Sequence, residues 1–140
     1  MPGLSAPQTT EALVIHEKGD LRLETVTVPA LKAGQVLIRP AWGGICGSDM
    51  HYFLHGGAGA SVLREPMILG HEVSGIVEAV SPDETRFRIG DAVAIHPARP
   101  SWHCPECERG AKHLRRKLRF FGRALFLPHT DGGFLLDLAP

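Results

Sequence analysis

The 140-residue chain predicts a mainly β fold, a compact and partly open β-barrel carrying small helices. Three observations lead there. Short runs rich in β-branched residues recur at fairly even spacing, each closed by turn residues. Sixteen Gly and eleven Pro favour short strands and turns over long helices. Apolar content of 44% against 21% charged residues is ordinary for a globular domain. A chain of this length makes one domain and buries roughly 68% of its unfolded surface.

Residues 1–10 read as a polar, flexible lead-in. Ala12-Leu13-Val14-Ile15-His16 is a strand, Lys18-Gly19-Asp20 a turn, and Leu21 to Val28 a second strand with near-alternation. Gln35 to Arg39 is a third, stopped by Pro40. Ser48 or Asp49 caps a short helix toward Phe53, since both side chains accept from free amides, and Gly56-Gly57-Ala58-Gly59 breaks it. Glu72 to Val80 forms a strand, with another at Ala92 to Ile95 after the Ile89-Gly90-Asp91 turn. Residues 96–122, rich in Pro, His and Arg, read as a lobe or long loop.

Several functions are excluded early. No apolar window reaches the roughly 18 residues of a membrane span, and the first twenty residues lack a secretory core. Three cysteines, two of them in Cys104-Pro105-Glu106-Cys107, suit a reduced, cytoplasmic chain better than a disulfide scaffold. Residues 1–108 carry 8 Lys/Arg and 13 Asp/Glu, net −5, and residues 109–140 carry 7 Lys/Arg and 2 Asp, net +5. No aromatic interleaving accompanies that basic block, so it reads as a solvated lobe and not as a nucleic-acid surface. Gly57-Ala58-Gly59 does not make a dinucleotide loop, because the third glycine position falls on Val62 and no βαβ unit surrounds it. No cofactor-binding residue is assigned.

The chemistry lies at Cys46, in the bend Gly44-Ile45-Cys46-Gly47-Ser48-Asp49, and at Gly70-His71-Glu72. Zinc takes S, N and O ligands, and a catalytic site keeps one position open. Cys46 and His71 are the candidate ligands, with Glu72 either a third ligand or beside the metal. Asp49 is placed to accept from the other ring nitrogen of His71 and hold its tautomer. Ser48 and His51 are placed to pass an alcohol's proton to water. Singly, Cys46 reads as a buried thiol and His71 as a core imidazole; together they read as a site.

Two stretches, Trp42 to Tyr52 and Glu65 to Gly75, closely resemble the zinc-dependent medium-chain alcohol and polyol dehydrogenases. Within them the chain resembles L-idonate 5-dehydrogenases most and sorbitol dehydrogenases next, and the likeness continues through Arg119 to Gly122 and Pro128 to Phe134. The resemblance implies a GroES-like catalytic domain over residues 11–134 with one catalytic Zn²⁺ on Cys46 and His71. It implies Glu72 at or near the metal, a Ser48–His51 proton relay, and Tyr52 lining the polyol pocket. The family reaction passes hydride from a secondary alcohol to NAD or NADP, with zinc as Lewis acid.

The chain also departs from that pattern. The four cysteines of a structural zinc fall on Ser101, Cys104, Cys107 and Arg115, only two of which ligate well. An arginine places fixed positive charge against the ion, so this zinc is expected to be lost unless His103 or His113 substitutes. Ser81 stands where the pattern has Gly or Ala. Residues 135–140 do not resemble the family's continuation and are expected to be an aberrant tail, with the Rossmann domain absent and the chain inactive alone. Two other readings remain: an assembly module that self-associates through Leu125 to Leu127 and Phe134 to Leu138, or a gene remnant without function.

Overall fold

The computed structural model describes residues 8–99, 104–111 and 118–138, with the backbone alone at 107 and 136–138. The elements in order are β1 (Gln8–Glu17), β2 (Asp20–Val28), β3 (Val36–Gly44), α1 (Gly47–His55), β4 (Gly57–Ala58), β5 (Ser61–Val62), β6 (Met67–Ile68), β7 (Glu72–Val80), β8 (Ala92–Ala94), β9 (Ala98–Arg99), α2 (Pro105–Glu108), β10 (Arg119–Phe120) and β11 (Leu135–Leu138). One sheet runs β11-β1-β2, with β6 also on β1, and a second runs β3-β7-β8. Every ladder between these strands is antiparallel. The described strands do not close on themselves, so the mainly β, open form expected from the sequence is what the chain adopts.

The core sits where α1 meets the first sheet. Ile15, Tyr52, Met67, Leu69 and Ala124 are buried together, with Leu21, Phe53, Ala58, Leu63 and Phe134 packed around them. β1 supplies Ala12, Val14 and Ile15 to the interior, and β7 alternates Val73, Gly75 and Val77 inward. That period of two lets one strand cover a core with one face and meet water with the other.

Two expectations need correction. β1 begins at Gln8, so the expected lead-in of 1–10 ends earlier: Thr10 is buried and pairs with Val26, continuing the alternation backwards. β3 does not stop at Pro40 but runs to Gly44, because the register shifts between Pro40 and Trp42 and a bulge tolerates the missing amide. The expected aberrant tail at 135–140 contains β11, whose residues Leu135 and Leu138 pair with Ala12 and Thr10 on the open edge of β1. Within the lobe at 96–122, β9 pairs with β10, and α2 is a single turn. No helix among the described residues is long and apolar enough to cross a membrane.

Candidate metal centre

Strand register brings the site together. β3 and β7 are antiparallel, and Gly44 at the end of one pairs with Glu72 at the start of the other. Cys46 therefore follows β3 by two residues, His71 precedes β7 by one, and both fall at the same end of the sheet. A Cβ on Gly44 would run into the Glu72 carboxylate, so glycine there lets that side chain lie across the strand. Gly70 has φ +95°, and a Cβ on it would meet the Phe134 ring. The 132–134 segment lies close against it, with Gly133 N donating to Gly70 O at 2.9 Å and Phe134 N to Leu69 O at 3.0 Å. The Gly-His-Glu bend is thus held by chain from a distant part of the sequence.

One ligand atom each from Cys46, His71 and Glu72 lies within 4.8 Å of the others. Ligands on a tetrahedral zinc stand about 3.3–3.8 Å apart, so side-chain shifts of about 1 Å close the set. Thiol and imidazole are half-buried and the carboxylate is exposed, leaving one side open. Cys46 is also the N-cap of α1, with extended backbone (φ −86°, ψ 156°). The capping carboxylate is Asp49 and not Ser48: its Oδ2 accepts from Cys46 N at 2.9 Å.

Asp49 has a second role in reach. Its Oδ1 faces His71 Nδ1 at 3.7 Å, both groups being nearly buried. Neither atom has a hydrogen-bond partner. Two complementary orphaned atoms facing each other are what remains when a small ring movement would complete a bond. Ligation through the other ring nitrogen leaves Nδ1–H to donate to Asp49. Donor set and orphaned pair together fit a zinc ion.

The other expected residues are spread around this point. Ser48 is half-buried and lines a cavity of about 230 Å³ with Tyr52, Ala58, His71, Phe120, Gly122 and Arg123. His51, three residues along α1, is exposed, its ring 5.5 Å from that of His55. Tyr52 lines the same cavity but is 1% exposed, and its hydroxyl accepts from Ala124 N at 3.0 Å. It shapes the cavity with its ring while its polar tip is already used. Cys104 is half-buried; Ser101, His103, His113, Arg115 and the Cys107 side chain lie outside the described residues, and with them the expected structural-zinc positions.

Sequence reasoning missed Phe120 and Arg123. The Phe120 ring meets His71 edge-on at 5.5 Å, and a second cavity of about 600 Å³ opens beyond it, along His71, Glu72 and Trp42. Nothing local marks either residue, because both arrive through the β10 region from about fifty residues away. His129, by contrast, is structural: buried, it accepts from Arg64 N at 3.0 Å and has Nδ1 2.9 Å from Phe126 O.

Cys46, His71 and Glu72 at the end of an antiparallel sheet could together hold a metal ion, and residues 32–136 match the family of alcohol dehydrogenase GroES-like domains. The chain belongs to it, within the zinc-type medium-chain polyol and alcohol dehydrogenases. It is 37% identical over 131 residues to a sorbitol dehydrogenase of Bacillus subtilis (strain 168), covering 94% of this chain and 36% of that one. To the L-idonate 5-dehydrogenase (NAD(P)(+)) of Escherichia coli (strain K12) it is 38% identical over 125 residues, covering 89% of this chain and 36% of the relative. The crystal structure of L-idonate 5-dehydrogenase from Escherichia coli K-12 superposes with a TM-score of 0.85 at 34% identity, over 96% of this chain and 40% of that one. The chain thus spans little more than a third of the length of these relatives.

Proposed function

We propose that this chain supplies the zinc-holding, alcohol-binding part of an NAD(P)-dependent polyol dehydrogenase acting on L-idonate or a similar polyol. The observation that carries the reading is the Cys46–His71–Glu72 cluster beside a cavity that Ser48 and His71 share. Cys46 and His71 hold the metal, and Glu72 is a third ligand or lies against it. A zinc ion bound there supplies a Lewis acid toward the oxygen of a secondary alcohol.

The chain's own groups do the rest. Asp49 fixes the tautomer and angle of His71. Ser48, in the cavity wall, takes the proton of the reacting hydroxyl, and His51, one turn along α1 at the surface, carries it to water. Tyr52 and Phe120 exclude water from the cavity and shape it for a carbon chain. No parallel βαβ unit occurs among the described residues, and binding of NAD or NADP is assigned to none of them.

Elemental analysis tests the reading directly. The purified chain should carry one zinc per molecule, and His71→Ala or Cys46→Ser should carry none. Equal zinc in all three would overturn it.

A second reading, self-association, is favoured by exposed Leu125, Phe126 and Leu127 and by an apolar groove of about 830 Å³ along Trp42, Ile45, Leu23 and Phe134. A monodisperse monomer in light scattering would remove it.

A further inference from the structure

Arg123 is held on several sides. Its backbone is pinned by a two-way bridge to Thr130, with N–H···O distances of 3.1 and 3.2 Å. Its Nε donates to Oγ of fully buried Ser61 at 2.9 Å. The guanidinium carbon stands 5.9 Å from the centre of the Phe120 ring. One edge and one face of the planar group are thereby fixed. The side chain is half-buried, and among the described residues no carboxylate pairs with it.

The cavity it lines is shared with Ser48, Tyr52 and His71, and among the described residues no carboxylate lines it. A cation drawn partly out of water without a counter-charge costs free energy unless an anion replaces the lost hydration. Guanidinium suits carboxylate and phosphate because two parallel N–H groups meet two oxygens. With Nε occupied by Ser61, the terminal amino groups remain to make that contact. The rigid hold on the rest of the side chain means little freedom is lost when they do.

We infer that Arg123 binds the anionic end of the substrate, so that the site takes a polyol bearing a terminal carboxylate or phosphate in preference to a neutral polyol. The inference rests on the reading above, in which the Ser48–His71 cavity is the alcohol pocket. Anchoring one end at Arg123 and presenting a hydroxyl toward His71 and Ser48 would also decide which carbinol is oxidised.

The test follows the Nε–H signal of Arg123 in the ¹⁵N-labelled chain, assigned by its loss in Arg123→Lys. Metal-free and zinc-loaded chain are each titrated, at constant ionic strength, with L-idonate, sorbitol 6-phosphate and sorbitol. At least one anion should shift the signal saturably while sorbitol leaves it in place, and the tighter anion identifies the terminal group. The preference over sorbitol, taken from calorimetric dissociation constants because the substituted chains lack the arginine signal, should reach about tenfold, the worth of one good charge-assisted contact. In Arg123→Gln it should vanish; should that variant unfold, Arg123→Lys keeps the charge, loses the fork, and should keep only part of the preference. No saturable shift with either anion, in either form of the chain, overturns the inference, as does a preference that survives both substitutions. Because the signal is read with and without zinc, loss of the metal reading shows separately, as absent zinc stoichiometry.

Discussion

Asp49 turns its two carboxylate oxygens to different neighbours, and replacing it separates the two contacts. Oδ2 accepts from the amide of Cys46 and caps α1; Oδ1 faces His71 Nδ1 at 3.7 Å. Asp49→Ala removes both, while Asp49→Asn keeps an oxygen for the cap and turns an NH₂ toward the imidazole. Loss of the cap should cost metal-free Asp49→Ala roughly 1–2 kcal/mol of unfolding free energy, and Asp49→Asn less than about 1 kcal/mol. Zinc should respond differently. Removing the group that orients a ligating histidine lowers metal affinity about 10–100-fold, or about 1.4–2.8 kcal/mol. Asp49→Asn should lose at least as much zinc affinity as Asp49→Ala, because two facing N–H groups repel whereas a small void admits water. The assays are urea unfolding of the metal-free proteins and zinc competition against a chromophoric chelator. Zinc affinity in Asp49→Asn equal to that of the unsubstituted chain would refute the reasoning, as would losses of stability and affinity that run in parallel across both variants.

Other outcomes follow from single contacts. Gly70→Ala forces a side chain into φ +95° with its Cβ against the Phe134 ring, and should cost roughly 2–5 kcal/mol in urea unfolding. Tyr52→Phe strands the amide of buried Ala124, which now donates to the tyrosine hydroxyl, and should cost about 1–3 kcal/mol by the same measurement. Glu84 is held at a pKa of about 2, down from 4.5, chiefly by side-chain hydrogen bonding to Arg86. A lowered carboxylate stabilises the fold above its unfolded value and loses that contribution as pH falls from about 4.5 toward 2. In Arg86→Ala, titration of Glu84 followed by carboxyl NMR should move back up toward 4.5.

How much could be read in advance differs from element to element. Glu72–Val80 and the helix from Gly47 were legible because β-branched alternation, an Asp near the helix start and a Gly stop act over a few residues. β3 past Pro40 and the strand at 135–138 were not. A bulge repairs the missing amide in the first case, and an open edge on β1 recruits the second. Neither partner is visible in the local sequence.

The sequence alone singled out Cys46, His71, Glu72 and Asp49 as one group, and the fold brings them together. Their meeting also follows from neighbouring strands. Tertiary structure alone decided what surrounds them: Phe120 against the imidazole, Arg123 in the cavity wall, and the Tyr52 hydroxyl already committed to Ala124. These contacts join residues fifty to seventy positions apart. Local periodicity carries no information over such distances, and only the packing of distant chain segments sets which side chains share a wall.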